Sequence, residues 1–334
     1  MSTTILARNF HGLKDVRLTV LPGVSAVVGT NGAGKTTLGF IGDILRRATS
    51  TGMGGLSAAI EHYGGGRTLR HFAAPPDEPV LLGIEADEAR WEIEPLPQGS
   101  GIAGNPAERL LIGDRVIFDR QAGRAEVAWD GKEVTLSDSR TVIRRLLDST
   151  LDGKLPGARL LDILAGYKLY YDLDLRSIRR GSPDSSHRYL FPDGSNVFSV
   201  LRNWRDLRED RHRFEFVMDS LGECFGYFDD LELVKGGNVI EGHLYRRGFN
   251  TPIPASAEAS GLLAALAHFA AVASASRGHV VFIDEFENSL HPRAVSTGLD
   301  LVRAFAEQHE IAVTLATQST DVLNWFDGHS PSES

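Results

Sequence analysis

Cysteine is nearly absent from this sequence, since Cys224 is the only one among 334 residues. One thiol excludes an internal disulfide framework, and no spacing of cysteine and histidine resembles a zinc site. Disulfides belong to oxidising compartments, so their exclusion favours a reducing one. We therefore expect a cytoplasmic protein.

Long apolar runs are also missing. Residues 1–20 lack a basic start followed by an apolar stretch, which predicts no signal peptide, and the longest apolar stretch, residues 261–275, is too short to cross a bilayer. We expect no membrane partner. Because the formal net charge is −9, any contact with nucleic acid would need a local basic patch, and the sequence leaves such a contact open.

A glycine-rich loop stands out near the start of the chain. Apolar segments at residues 5–10, 16–21 and 24–28 predict three short strands, and the third runs directly into GTNGAGKTT at residues 29–37. These residues match the phosphate-loop pattern, and a helix is predicted to begin near Lys35. A strand, this loop and a helix in succession form the context in which the pattern binds nucleotide phosphates.

Each residue type in the loop has a chemical reason. Glycines let the backbone curl until successive N–H groups point at one phosphate, and the helix directs the positive end of its dipole at the same anion. Lys35 is predicted to reach the β- and γ-phosphates of ATP, and Thr36 to give Mg²⁺ a hydroxyl ligand. The candidate nucleotide-binding residues are Asn31, Gly32, Ala33, Gly34, Lys35, Thr36 and Thr37.

A second candidate element is an apolar run that ends in two acidic residues. Residues 279–283 read His-Val-Val-Phe-Ile and are followed by Asp284 and Glu285. Such a run predicts a buried parallel strand, and ligands of open α/β sheets bind at the carboxyl ends of their strands. Asp284 is predicted to hold Mg²⁺ through water, and Glu285 to orient and deprotonate the attacking water.

These segments resemble one branch of the ABC-type ATPases. Residues 5–38 and the string VFIDEFENSLHP at residues 281–292 are similar to the RecF/SMC/OLD branch and, within it, to the AAA_21 (AAA-15/OLD-like) family. Phe286 stands where that family usually has proline. The resemblance implies an α/β fold, namely an ABC-ATPase head with a parallel or mixed sheet at the P-loop, an antiparallel β lobe and a helical insertion.

The resemblance also points to a switch residue. Residues 311–316 predict another apolar strand, and Thr317-Gln318-Ser319 follow it, where the family usually has Thr-His-Ser with the histidine at the γ-phosphate. Gln318 is thus the third catalytic candidate, after Lys35 and Glu285. Glutamine can donate a hydrogen bond to phosphate but carries no positive charge, which favours slow turnover or a sensing role.

Ser260 and Gly261 precede a predicted helix over residues 262–274 and resemble the family's signature in shortened form. A signature helix points its N-terminus, with a serine that is expected to cap it, at the γ-phosphate of a nucleotide bound by the opposite subunit. The resemblance therefore implies a two-fold homodimer through sandwiched ATP, in which Ser260 and Gly261 complete the neighbour's site. The sequence offers this helix start no target within its own subunit.

The middle of the chain is predicted to form short strands and then helices. The strands are expected at residues 80–84, 89–93, 115–118 and 125–134, the helices at 139–148, 159–170, 197–207 and 211–225, and mobile glycine-rich loops at 52–66 and 99–104. Nine arginines between residues 176 and 213 are interleaved with acidic residues. This mixture favours a solvated face over a nucleic-acid surface.

Together these patterns predict one ATPase head over residues 1–334. Its first lobe is expected from residues 1–135 and 277–334, and a helical signature lobe from residues 136–276. The resemblance implies ATP hydrolysis and ATP-dependent homodimerisation that gates a separate effector protein, as in ATPase subunits of bacterial DNA-repair and phage-defence systems. Two alternatives remain: a nucleotide-gated scaffold with little turnover, and an ABC-transporter subunit, which would need a full signature, a glutamine loop and a switch histidine.

Overall fold

The computed structural model describes residues 2–50, 55–75, 77–99, 101–102, 104–136, 141–149 and 157–329. Within these ranges the strands are, in chain order, β1 (Thr3–Phe10), β2 (Leu13–Val20), β3 (Gly23–Val28), β4 (Leu81–Ala86), β5 (Ala89–Glu94), β6 (Pro97–Gln98), β7 (Gly101–Ile102), β8 (Ala107–Ile112), β9 (Arg115–Arg120), β10 (Glu126–Trp129), β11 (Lys132–Thr135), β12 (Lys168–Tyr170), β13 (Ser182–Pro183), β14 (Phe228–Gly236), β15 (Val239–Arg246), β16 (Ile253–Pro254), β17 (Val280–Asp284) and β18 (Ala312–Thr317).

The helices of the same ranges alternate with these strands. They are α1 (Lys35–Thr49), α2 (Gly55–His62), α3 (Gly66–Leu69), α4 (Val142–Ser149), α5 (Ala158–Gly166), α6 (Leu175–Arg179), α7 (Val197–Asp206), α8 (Arg211–Cys224), α9 (Ser260–Ala273), α10 (Pro292–Gln308) and α11 (Thr320–His329), with a 3₁₀ turn at Ala255–Ala257. The chain divides into two compact units, one of residues 1–21 and 30–167, the other of residues 22–29 and 168–334.

The first unit is built on an eight-stranded antiparallel sheet. Its strand order is β11-β10-β9-β8-β5-β4-β1-β2. Strand β5 shows why these segments form strands, because Ala89, Trp91 and Ile93 are buried while the residues between them are half-buried. This alternation gives the sheet one apolar face, as is usual in antiparallel sheets.

Helix α1 packs in the first unit through an apolar stripe that includes Ile41, Ile44 and Leu45, all fully buried. Tyr167 fixes the helix, since its hydroxyl donates to the carbonyl oxygen of Gly39 at 3.0 Å. A Cβ atom at Gly42 would lie 2.2 Å from the Tyr167 ring, so no larger residue fits there without displacing the ring. The helix that follows the phosphate loop is thus held in one position within its unit.

A buried carboxylate joins α4 to the sheet of the first unit. The Glu108 side chain accepts hydrogen bonds from the Trp91 indole at 3.1 Å, from Arg120 at 3.0 Å and from the backbone N–H groups of Val142 and Ile143 at 2.6 and 2.9 Å. Four donors match the acceptor capacity of one carboxylate, which makes burial of its charge tolerable.

The second unit contains a four-stranded parallel sheet in the order β12-β17-β18-β3. The first four residues of β17 and all six of β18 are buried, so these strands lack the alternation seen in the first unit. Continuous apolar strands are expected where a parallel sheet is covered on both faces. In α9 every residue from Leu262 to Ala273 is buried, which places this helix inside the core.

The structure corrects several predicted elements. Residues 55–62 form α2 rather than a loop, because Leu56, Ala59 and Ile60 give it a buried stripe at helical spacing; residues 51–54 lie outside the described ranges. In the second glycine-rich segment, residues 101–102 form β7, while residues 100 and 103 are also outside.

Two other predicted elements are each divided in two. The expected strand at residues 125–134 is the hairpin of β10 and β11, which turns at Asp130 and Gly131, both with positive φ. The expected helix at residues 159–170 ends at Gly166 and is followed by β12.

The predicted lobe boundaries also differ from the observed units. The sequence places the acidic strand and the signature helix in different lobes, yet β17 and α9 both belong to the second unit. Strand β3 belongs to it as well, within residues 22–29, although residues 1–21 and 30–167 belong to the first unit. The reason is that the parallel sheet gathers strands that are far apart in the sequence, and apolar periodicity does not reveal which strands pair.

Candidate nucleotide site

Three strand ends lie side by side at one edge of the parallel sheet. In the register of β3, β18 and β17, Val28 is beside Thr317, and Ala316 is beside Asp284. The phosphate loop begins at Gly29, directly after β3. The start of this loop, the switch residues and the acidic pair therefore leave the sheet at the same edge, where α/β sheets bind ligands.

The phosphate loop from Thr30 onward is folded in the first unit. Gly32 and Gly34 have φ values of 80° and 88°, in the left-handed region that favours glycine. A Cβ atom at Gly34 would also lie 2.8 Å from Cδ2 of Leu13, so the position has little room for a side chain. Lys35 Nζ donates to the carbonyl oxygen of Thr30 at 3.1 Å, which holds the ammonium group within the loop.

The other predicted loop residues occupy the positions that the pattern requires. Gly34 is the N-cap of α1, and Lys35 is its first residue, so Thr36 and Thr37 lie in the first turn. Asn31, Gly32 and Ala33 are exposed on the preceding turn. No side chain caps α1, and in this loop pattern the helix N-terminus faces the bound anion.

The acidic pair follows a buried strand but is itself accessible. Asp284 is the last residue of β17 and is half-buried, while Glu285 is exposed and has a left-handed φ of 51°. The Glu285 N–H group donates to the carbonyl oxygen of Ala316, and its own carbonyl accepts from the N–H of Asn288, both at 2.9 Å. A non-glycine residue in this conformation needs such support, and functional sites often contain one.

The switch residues are tied to the loop that follows the acidic pair. Thr317 is fully buried, and its hydroxyl donates to Glu287 Oε1 at 2.5 Å and accepts from the N–H of Ser319 at 2.9 Å. Gln318 lies between these anchored neighbours and is exposed. The predicted switch residue therefore presents its amide to solvent from a fixed backbone.

The signature residues lie at the start of α9, but differently from the prediction. Ser260 is the first helical residue rather than the N-cap, which is Ala259, and no side chain caps the helix. The Ser260 hydroxyl accepts a hydrogen bond from Arg179 at 3.0 Å. A Cβ atom at Gly261 would lie 2.5 Å from the carbonyl oxygen of Ser289. Contrary to expectation, this helix start has partners within its own subunit.

A cavity of about 230 Å³ adjoins the acidic pair in the second unit. Its lining includes Asp172, His268, Asp284, Glu285 and Asn288. His268 projects from α9, stacks on Phe286 with ring centroids 5.0 Å apart, and is only 3% exposed. Among the described residues its Nδ1 atom has no hydrogen-bond partner. Burial lowers the pKa of His268 from 6.5 to about 4, so this imidazole is neutral near pH 7.

The buried His268 makes stability depend on pH. The unfolded chain binds a proton near pH 6.5 and the folded chain only near pH 4, so the free energy of unfolding should fall as the pH drops through this interval. The full effect is about 3 kcal/mol. Urea unfolding of the wild type and of His268→Gln between pH 7 and pH 4 measures it. The variant should lose less stability than the wild type, and parallel losses would contradict this account.

Several arginines of the middle segment are engaged in contacts of the second unit. Arg188 pairs with Glu209 at 2.7 Å and with Asp210 at 2.6 Å, and Arg202 pairs with Asp184 at 2.6 Å. Arginines whose charges are matched in this way do not form a basic patch for phosphates.

Sequence reasoning missed three residues that support the site. Glu287 could have been found in the sequence, because it is a third acidic residue close behind Asp284 and Glu285. Arg179 and His268 could not be found in this way, since Arg179 lies in a mixed-charge segment and His268 in an apolar helix.

Within the described ranges, no helix is long and apolar enough to cross a membrane.

Comparisons with known proteins agree with this geometry. Residues 24–324 match the family described as "AAA domain, putative AbiEii toxin, Type IV TA system", whereas no curated protein sequence matches the chain. One similar solved structure is an Smc head bound to the C-winged helix domain of ScpA, with a TM-score of 0.52 and 15% identity over 96% of this chain and 91% of that chain.

A second similar structure is the Smc head domain from Pyrococcus furiosus, with an extended coiled coil and bound to the C-terminal domain of ScpA. Its TM-score is 0.50 and its identity 14%, over 97% of this chain and 92% of that chain. At these identities the likeness concerns the fold, which is the mixed α/β fold of an SMC head. Because the family match spans most of the sequence, the chain belongs to the AAA_21 family, with a P-loop domain whose fold is that of an SMC head.

Proposed function

We propose that this protein binds MgATP, hydrolyses it, and uses the bound nucleotide to join two copies of the chain. The observation that carries the proposal is the register of β3, β18 and β17, which brings the start of the phosphate loop, Gln318 and the acidic pair to one sheet edge. In this proposal the loop residues 31–37 bind the phosphates, and Lys35, Glu285 and Gln318 are the catalytic residues.

The donor atoms at the proposed metal site suit magnesium. Thr36 offers a hydroxyl oxygen and Asp284 a carboxylate oxygen, both of the hard type that Mg²⁺ prefers. The described residues contain no group of three or more histidine, cysteine or acidic side chains placed to hold a metal on their own. Mg²⁺ normally binds through one or two protein ligands together with substrate phosphates and water, and it would neutralise charge on the phosphates.

Glu285 is proposed as the general base. Its carboxylate is exposed at the sheet edge. No hydrogen bond from another described residue to this carboxylate is observed, so it can accept a hydrogen bond from water. It would orient the attacking water and accept its proton, while Lys35 balances charge on the phosphate oxygens. Thr317 and Glu287 hold the neighbouring segments in place through their mutual hydrogen bond.

A hydrolysing enzyme must be distinguished from a nucleotide-gated scaffold, which the glutamine at position 318 makes a real alternative. Single-turnover measurements with radiolabelled ATP and an excess of protein separate the two. An enzyme converts the bound ATP to ADP in a single exponential that depends on Mg²⁺. A scaffold releases it unchanged, and that result would overturn the catalytic part of the proposal.

Replacing Gln318 by histidine should raise turnover by about tenfold, which corresponds to about 1.4 kcal/mol of activation free energy. Gln318 is exposed at the sheet edge, and histidine can place positive charge near the γ-phosphate where glutamine cannot. Steady-state rates at saturating MgATP test this expectation, with ATP affinity as the control. A lower rate at unchanged affinity would mean that the Gln318 amide serves the reaction better than an imidazole does at this position.

Dimerisation and an effector protein complete the proposal. The support for two copies is the exposed start of α9, where Ser260 and Gly261 lie beside the loop that follows the acidic pair. The Smc heads with a similar fold are bound to domains of ScpA, and by analogy this head is proposed to act on a separate effector. The family's description suggests a toxin–antitoxin setting, and the resemblance of the sequence adds phage defence or DNA repair as proposed settings.

A further inference from the structure

The hydroxyl of Ser260 is oriented by a single arginine. Arg179, at the end of α6, donates from Nη2 to Ser260 Oγ at 3.0 Å. A guanidinium group has no acceptor, so the serine oxygen must accept this bond. The hydroxyl proton of Ser260 is therefore not used in the contact, and it can donate to another group in front of the helix.

The same arginine also fixes the segment that leads into α9, which we call the signature loop, residues 255–259. Arg179 Nη1 donates to the carbonyl oxygen of Glu258 and, at 3.3 Å, to that of Ala255. A second arginine, Arg246, donates to the Glu258 carboxylate at 2.9 Å. The loop is thus held from two sides, but only Arg179 also reaches Ser260.

Charges of both signs surround the start of α9 beside Ser260. Helix α9 is fourteen residues long, has no acidic residue in its first turn and no side-chain cap, so its N-terminus carries the positive end of the helix dipole. Placing a guanidinium group there adds a second positive charge, which the dipole opposes. The carbonyl groups of the signature loop offset part of this repulsion, and so does the Glu258 carboxylate, which accepts from Arg246 and from the N–H of Ala259.

We infer that Arg179 is a positioning residue for the signature serine: it holds the Ser260 hydroxyl with its proton directed outward, ready to donate to the γ-phosphate bound by a second copy of this chain. The inference rests on the proposed function and adds a residue to it. Arg179 also connects the signature to the sheet, because α6 follows β12, and β12 pairs with the strand that ends in Asp284.

A double-mutant cycle tests this role in a Glu285→Gln background, which retains ATP. Arg179→Ala and Ser260→Ala should each raise the MgATP concentration for half-maximal association about tenfold, because each removes one charge-assisted contact or its orientation. The double variant should be no worse than Ser260→Ala alone, since Arg179 acts through the serine. Arg179→Lys keeps the positive charge and loses the planar guanidinium group, so its MgATP concentration for half-maximal association should lie between those of the parent and Arg179→Ala.

Matched controls separate positioning from a general loss of structure. Arg180→Ala removes the next arginine along the chain, for which no hydrogen bond to Ser260 is observed among the described contacts, and it should associate like the parent. ATP affinity of the single head, measured below the association threshold, should be unchanged in all variants. Thermal unfolding of each variant verifies that the fold persists.

The outcomes are distinct. If the parent associates with MgATP and the effects of Arg179→Ala and Ser260→Ala simply multiply in the double variant, Arg179 acts independently of the serine and the inference is wrong. Arg179→Ala that behaves like the parent also overturns it. If the Glu285→Gln parent itself does not associate, the proposed dimerisation fails, and the role given to Arg179 fails with it.

Discussion

Lys35→Ala should weaken ATP binding by about 100-fold or more, close to abolishing it. Lys35 is the first residue of α1, and its ammonium group is held within the phosphate loop by the carbonyl oxygen of Thr30. Its removal deletes a charged contact to the β- and γ-phosphates, and charge-assisted hydrogen bonds of this kind are among the strongest in proteins. Titration calorimetry or a fluorescent ATP analogue measures the change.

Glu285→Gln should have the opposite pattern. Because the amide keeps the size of the carboxylate but cannot accept a proton from water, ATP affinity should be retained while the hydrolysis rate falls by about 10² to 10⁴. Lys132→Ala is a suitable control, since this exposed lysine lies on β11, at the far edge of the antiparallel sheet from β1 and β2. It should alter neither quantity.

The two variants together test the site assignment. Equal ATP affinity in the wild type and in Lys35→Ala would show that the loop at residues 29–37 does not bind the phosphates. An unchanged hydrolysis rate in Glu285→Gln would remove the general base from the proposed mechanism, even if binding behaved as expected.

Local patterns in the sequence were sufficient for much of the fold and for the strand ends that carry the candidate site. Strands β3 and β17 were predicted because short apolar runs are followed directly by Gly29 and by Asp284 and Glu285. The phosphate loop was recognised from the spacing of its glycines. Gly32 and Gly34 have positive φ values, a backbone conformation that favours glycine. Such requirements depend on neighbouring residues only, so the sequence reveals them.

The other features of the candidate site depend on contacts between residues that are far apart in the sequence. Arg179 and Ser260 are 81 positions apart, and no local pattern indicates that one donates to the other. Gly261 looks like an ordinary helix-start residue until the carbonyl group of Ser289 is found 2.5 Å from its potential Cβ atom. The mixed charges near Arg179 suggested a solvated face, whereas this guanidinium group binds backbone carbonyls of the signature loop.

ATP-driven association is the second large expected effect. Each closed dimer would form charge-assisted hydrogen bonds from two signature helices to two γ-phosphates, and these contacts weaken once the γ-phosphate is released. A nucleotide that binds the paired state better than the single head shifts the population toward pairs. Partners of Ser260 within its own subunit do not remove this expectation, because its hydroxyl proton remains available beside Arg179.

Light scattering on Glu285→Gln tests the central claim, that MgATP joins two heads through their signature residues. With MgATP the mass should double, while with Mg-ADP, or with Ser260→Arg added to the same background, it should stay that of one chain. Ser260→Arg places a bulky side chain at the exposed helix start and leaves the residues of the phosphate loop unchanged, so it should block closure. Equal mass in all three samples would contradict the claim, whether the common value is that of one chain or of two.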